Sequence, residues 1–296
     1  MDERASGPGP DSGAASERGS SRDAEIERLV AGLRRSRKYR AVCPGTLARL
    51  AAWALARHPA PKAAARAARA KLHQVYAAYV TPQGIAALER LLAGAPAAPA
   101  PVELEALARA VLALHVSTAE RMDFLKELYP RLLDGLAPRG SRLEVLDLAC
   151  GLHPFALPWM GLPADAVYRA WDIDERLVAA LNRFLGMSGR DGRAEARDLL
   201  LMPSGASVDL VFLLKVLPCL ERQERGASLR LLRSLSARRV IVSFPARSLG
   251  GREKGMRDHY AGVIADLAAG LPARVTRITF PNEDFYLLES EAGTWR

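Results

Sequence analysis

The spacing of apolar residues along this chain changes near Gly140, from a helical period to short runs of strand type. Ile26, Leu29, Val30 and Leu33 predict a helix from Ala24 to Arg40, which Pro44 and Gly45 end. A second helix is expected from Thr46 through Trp53 and Leu55, with Pro59 and Pro61 as the next punctuation. The third runs from Lys62 to Val80, with Lys62, Arg66, Arg69 and His73 on one face and Leu72, Val75, Tyr76 and Tyr79 on the other. A further helix covers Gly84 to Ala93, followed by the low-complexity hinge GAPAAPAP from Gly94 to Pro101. Helices are then expected from Val102 to His115 and from Ser117 to Leu133, where Ser117 followed by Glu120 has the form of a capping box.

Beyond Gly140, strand-like runs lie near Glu144, Val167, Arg193, Val208, Arg239, Arg274 and Phe285, separated by helical or loop stretches. Alternating βα units with a closing pair of strands outline a seven-stranded methyltransferase-like sheet. The expected fold is therefore α/β: a Rossmann-like, seven-stranded methyltransferase-like domain preceded by an all-helical domain. The boundaries drawn on sequence are a disordered polar tail over 1–22, a basic helical domain over 23–105 and the catalytic domain over 106–296.

Within that second half, LEVLDLACGLHPFALPWMG (Leu143 to Gly161) is the most informative stretch. An apolar strand carrying Asp147 turns sharply through Cys150 and Gly151 into a helical pattern, and a glycine there lets a ligand approach backbone amides. The next strand run, VYRAWDID, brings Asp172, whose carboxylate can accept both hydroxyls of a ribose. The turn lacks the GxGxxG pattern of a dinucleotide site, so S-adenosylmethionine suits it better. An unrelated α/β turn stays open on this motif alone.

Charge adds a second theme. The formal net charge is +9, and between Ala31 and Val80 stand Arg34, Arg35, Arg37, Lys38, Arg40, Arg49, Arg57, Lys62, Arg66, Arg69 and Lys71 with no Asp or Glu. Such a block repels itself unless a polyanion offsets it, which points to RNA or DNA as partner. The three cysteines, Cys43, Cys150 and Cys219, form no CxxC pair and have no histidine cluster, so neither a disulfide frame nor a metal site is expected. No apolar run spans a bilayer and the start has no secretory or transit character, so a cytoplasmic protein without membrane association is expected.

Several other residues carry possible chemistry. Asp198 in AEARDLL closes the third strand and can meet an adenine amino group, with the amide of Leu199 beside it, and Leu213 and Leu214 would border the ring. Lys215 and Glu221 read as ordinary charges. Pro218-Cys219 leaves open a thiolate nucleophile for pyrimidine C5 methylation, against a buried structural cysteine. The grip that exocyclic amino methylation of bases uses, Asn/Asp-Pro-Pro-aromatic, is missing, whereas guanine N7 already carries an in-plane lone pair. Transfer to that nitrogen needs alignment and no general base, so no catalytic side chain is expected. SFPARSLGGREKGM, from Ser243 to Met256, sets Arg247, Arg252 and Lys254 among glycines, which suits a phosphate clamp and leaves an ordinary surface loop open.

SRKYRAVCPGT, KLHQVYAAYV, HVSTAER, DLACGLHPFALPWMGLP, LLKVLPCLERQERG and SFPARSLGGREKGM together resemble the aminoglycoside-resistance 16S rRNA (guanine-1405 N7) methyltransferases, from about Arg34 to the C-terminus. The resemblance implies methyl transfer from S-adenosylmethionine to a guanine of the decoding site on the assembled 30S subunit; the oligomeric state is not legible, and a monomer is expected only because the enzyme must fit a subunit groove. It implies cofactor contacts at Tyr79, His115, Val116, Ser117, Arg121 (on the methionine carboxylate), Ala149, Gly151, Asp172, Asp198, Leu199, Leu214 and Gln223. It also implies rRNA docking by the N-terminal module. His153 departs from the Asn usual after CGL, and PNEDFYLLE departs from the usual Asn-Glu-Leu-Ile-Tyr run, with Asn282, Glu283 and Tyr286 in similar places. Two other classes stay open on sequence: a methyltransferase for another base, and a ribosome-associated binding protein with a vestigial cofactor fold.

Overall fold

The computed structural model describes residues 12–77, 81–138, 140–201, 207–246 and 255–290. The chain divides into two compact units, Met1–Ala77 and Ala78–Arg296.

In the first unit, α1 (Ser12–Arg34) begins just after Pro10, the last proline before Pro44, so the second half of the expected tail is helical. Pro44 and Pro61 then open α2 (Pro44–Arg57) and α3 (Pro61–Leu72), where their missing N–H groups are no loss. Ala64, Ala68 and Leu72 recur at four-residue spacing and are fully buried, while Lys62, Arg66, Arg69 and His73 are exposed. The predicted helix over 62–80 changes character at His73, where a π-turn covers His73–Ala77. The three helices pack on one another around Leu33, Leu47, Leu50 and Leu72, and the Tyr39 hydroxyl donates to the Arg69 carbonyl at 3.3 Å.

The second unit holds a seven-stranded sheet in the order β3-β2-β1-β4-β5-β7-β6. Its strands are β1 (Glu144–Leu148), β2 (Val167–Asp172), β3 (Gly192–Ala196), β4 (Ser207–Leu214), β5 (Ser236–Pro245), β6 (Arg274–Thr279) and β7 (Glu283–Glu289). β1 to β5 pair in parallel, and β7 inserts antiparallel between β5 and β6. All seven runs expected from the sequence are strands, and the expected fold class holds.

Helices cover both faces of the sheet, which is why its central strands are apolar throughout. On one face Val145, Tyr168, Ala170, Leu210 and Phe212 pack with side chains of α4 (Pro82–Gly94), α5 (Pro101–Leu112), α7 (Leu125–Leu133) and α9 (Glu175–Met187). On the other, Leu146, Leu148, Val211, Leu213, Val240 and Val242 pack with α10 (Leu217–Gln223), α11 (Ala227–Ser234) and α12 (Met256–Ala269). Drawn on sequence with the basic module, α4 instead belongs to the unit of the sheet, because Ile85, Leu88 and Leu92 join the sheet's core.

The helix expected over Ser117 to Leu133 is broken into α6 (Val116–Ala119), a 3-10 turn over Met122–Phe124, and α7. Its cap is His115 in place of Ser117: the imidazole Nδ1 accepts from the Ser117 amide at 3.3 Å and lies 2.7 Å from its hydroxyl. The pattern after Gly151 likewise forms a 3-10 turn over His153–Ala156 and then the single helical turn α8 (Leu157–Met160).

Candidate active site

Because strand order reverses at β1, the parallel sheet forms its crevice beyond the carboxyl ends of β1 and β4. Six of the expected cofactor residues stand at this edge. Ala149 and Gly151 follow β1, Asp172 ends β2, Asp198 and Leu199 follow β3, and Leu214 ends β4.

The turn after β1 is held in an unusual conformation. Ala149 and Gly151 both have left-handed backbones, at φ 51° and 53°. A non-glycine residue in this region carries about 1–3 kcal/mol of strain, which marks turns that serve a ligand. Nothing lies within 4 Å of the position a Cβ on Gly151 would take. The Cys150 amide donates to the Trp171 carbonyl at 3.0 Å, which fastens the turn to β2. Burial raises the Cys150 thiol well above its usual range, so it stays protonated.

Asp172 is the acid that meets this turn. One carboxylate oxygen accepts the Gly151 amide at 3.0 Å, and the other accepts the Asp174 amide at 3.1 Å. Burial pushes its pKa up to about 6, against the lowering pull of those amides. Asp198 accepts the Leu200 amide at 2.9 Å and so caps the 3-10 turn Leu199–Leu201 beside β3.

Asp147, on the strand that leads into the turn, serves the interior. Strand side chains alternate, so Asp147 falls on the face of Val145, under α7 and the turn that carries His153. It accepts from the Tyr168 hydroxyl at 2.7 Å and lies 2.7 Å from His153 Nδ1, while His153 Nε2 lies 3.1 Å from the Tyr129 hydroxyl. All four side chains are buried. His153 thus bridges two polar groups that would otherwise cost about 1–3 kcal/mol each if left unpaired.

Arg121 sits between α6 and the 3-10 turn and is buried. Its Nε and Nη2 donate to the two oxygens of Glu283 at 2.8 and 2.7 Å. Lys215 Nζ lies 3.3 Å from Glu283 and donates to Glu120 at 2.9 Å. The sequence reading gave Glu283 no role and took Lys215 for an ordinary charge. The one local signal for Lys215 is its place directly after an apolar strand. Glu221, the other charge so read, accepts the Gly226 and Ser228 amides at 2.8 and 2.7 Å, a structural cap on α11.

Gln223 is half-buried, with its amide donating to the Cys219 carbonyl at 3.3 Å. The Cys219 sulfur lies 3.4 Å from Arg222. Tyr79, Arg247, Arg252 and Lys254 lie outside the described residues. In the first unit Arg34, Arg35, Arg37, Lys38, Arg40, Lys62, Arg66 and Arg69 are exposed, and Lys71 is half-buried. Arg57 and Lys71 both lie over the Trp53 ring, 5.1 and 5.7 Å from its centre. Among the described residues no group of His, Cys, Asp and Glu is arranged for a metal ion, and no helix is long and apolar enough to cross a membrane.

An open left-handed turn, a carboxylate tied to it, a second carboxylate one strand further out and a buried guanidinium supply amide, acidic and cationic groups of the kinds S-adenosylmethionine needs. Among known proteins, a 16S rRNA (guanine(1405)-N(7))-methyltransferase of Micromonospora echinospora is 37% identical, over 89% of this chain and 96% of its own length. One of Serratia marcescens with the same description is 37% identical over 86% and 94%. The solved 16S rRNA methylase RmtB aligns with a TM-score of 0.74 at 32% identity, covering 90% of this chain and 98% of that one. The 16S rRNA methyltransferase RmtF, solved in complex with S-adenosyl-L-homocysteine, aligns at 0.73 and 35% identity, over 91% and 98%. Residues 35–287 match the model of the FmrO ribosomal RNA methyltransferases, and the chain belongs to that family.

Proposed function

We infer that this chain is an S-adenosylmethionine-dependent methyltransferase that modifies N7 of guanine 1405 in 16S rRNA and thereby confers aminoglycoside resistance. The observation that carries this reading is the hydrogen bond from the Gly151 amide to the Asp172 carboxylate, which couples the ribose acid to the turn beyond β1 in a chain of this family. When bound, S-adenosylmethionine supplies an electrophilic methyl group on its sulfonium. The chain's own work is to bind and orient: Asp172 takes the ribose hydroxyls, Asp198 and the Leu199 amide take the adenine, and Leu214 walls the ring. Arg121 takes the carboxylate of the amino-acid end, and His115, Val116 and Ser117 lie along the same end. Guanine N7 presents its lone pair without losing a proton, so alignment replaces acid–base chemistry.

The exposed cations of the first unit take the rRNA of the assembled 30S subunit through its phosphates, with Arg247, Arg252 and Lys254 as further phosphate contacts. The enzyme acts as a monomer in the cytoplasm. Primer extension on 30S subunits treated with enzyme and donor, then with borohydride and aniline, is expected to stop at the target guanine. An unmodified ladder would reject this function.

A further inference from the structure

The ion cluster at the carboxyl edge is more elaborate than an anchor for a loop requires. Glu283 opens β7, opposite Pro245 at the end of β5, and its side chain is fully buried. It receives both donors of the Arg121 fork, approaches Lys215 at 3.3 Å and bonds Ser243. The Ser243 hydroxyl in turn accepts the Lys215 amide at 3.1 Å. Two cations therefore converge on one desolvated carboxylate, and together they hold it below the usual carboxylate range. The remaining partner, Glu120, is the most exposed member at 38%, so it offsets the positive centre only weakly.

Two features mark this cluster as more than structural. A buried ion pair adds little net stability over well-packed apolar side chains, because desolvation opposes the attraction. Lys215 also has a left-handed backbone, at φ 58°, and such strain in a residue with a long side chain clusters at ligand sites. Its location agrees: Lys215 directly follows β4, the strand that pairs with β1 at the carboxyl edge.

We propose that Glu283 is a positioning residue for donor binding: its two-point grip on Arg121 and its contact with Lys215 fix a cationic seat at the β1/β4 crevice for the carboxylate of the donor's amino-acid end. The proposal rests on the donor reading above. The grip matters because Arg121 lies between α6 and the 3-10 turn, outside any regular helix, and Glu283 holds its guanidinium in one orientation at two points. Lys215, held from beneath, supplies the second cation.

Calorimetry with two probes tests this: S-adenosylhomocysteine, and 5′-methylthioadenosine, which keeps the adenine, ribose and sulfur but has no amino-acid end. Glu283→Gln is expected to weaken S-adenosylhomocysteine about tenfold or more, the scale of one charged hydrogen bond, with 5′-methylthioadenosine unchanged within about twofold. Glu283→Asp, which keeps the charge, is expected to fall between. Because Glu283→Gln leaves Arg121 buried and unpaired, Arg121→Met alone and Glu283→Gln/Arg121→Met provide a second test with no stranded guanidinium: adding Glu283→Gln to Arg121→Met is expected to cost much less S-adenosylhomocysteine affinity than Glu283→Gln costs by itself, because Glu283 acts through Arg121, and fully additive losses would overturn the proposal. Equal loss of both probes from a folded variant, or full retention of S-adenosylhomocysteine, would overturn the proposal. A wild-type protein that binds neither probe would instead remove the donor reading itself.

Discussion

At the scale of single residues, the titration of Asp172 links binding to pH. With its carboxyl raised to about 6, it is ionised at neutral pH and takes a proton as the medium becomes mildly acidic. Only the ionised form accepts two ribose hydroxyls at once, so affinity for S-adenosylmethionine is expected to fall as pH drops from 7.5 to 5.5. Asp172→Asn should bind about tenfold or more weakly and lose this pH dependence, as calorimetry at several pH values would show. In the protein measured without donor the sign reverses. A raised carboxyl penalises the folded state above pH 6, and the penalty fades as pH falls through 6 towards the ordinary carboxylate value. Asp172 was legible from sequence because strand-end acids follow a spacing. Asp147 was not, because the choice of face depends on which helices cover it, and Glu283 was not, because its partner lies 162 positions away in the chain.

At the scale of elements, the outer strand β3 depends on one glycine. Gly192 opposes Tyr168 on β2, and a Cβ built there would come 2.1 Å from the Tyr168 carbonyl oxygen. Backbone cannot yield as a side-chain tip can, so Gly192→Ala is expected to destabilise the fold by about 2–4 kcal/mol, read as a lower denaturant midpoint. Through β3 the same change should loosen Asp198 and Leu199. Strands were readable one by one because each is a short apolar run between turn residues. The segment from His115 to Leu133 was not, because its apolar period continues across a break made by His115 capping Ser117 and by Arg121 turning inward. α4 was misallocated for a related reason: its amphipathic pattern specifies that a face is buried, not against what.

At the scale of the whole molecule, the acid-free cations and the expected cofactor residues fall in different units, since the basic residues from Arg34 to Lys71 lie within Met1–Ala77 and the expected cofactor residues lie beyond it. Reversing Arg34, Arg35, Arg37, Lys38 and Arg40 to Glu should therefore leave S-adenosylmethionine affinity unchanged in calorimetry. The same variant should bind 30S subunits at least about tenfold more weakly in filter assays and show a flatter dependence on salt. The outline of two units could be read from charge and period, whereas the border at Ala77 could not, because it follows the packing of α4. On the rRNA reading, the nine exposed cations of the acid-free stretch, Arg57 included, would carry a cost in the cell. Phosphate contacts carry no sequence information, so on that reading transfer RNA, messenger RNA and mature ribosomes would all compete for them. Occupancy of the right guanine is then governed by how quickly the enzyme leaves wrong sites, and tighter phosphate grip would slow the search.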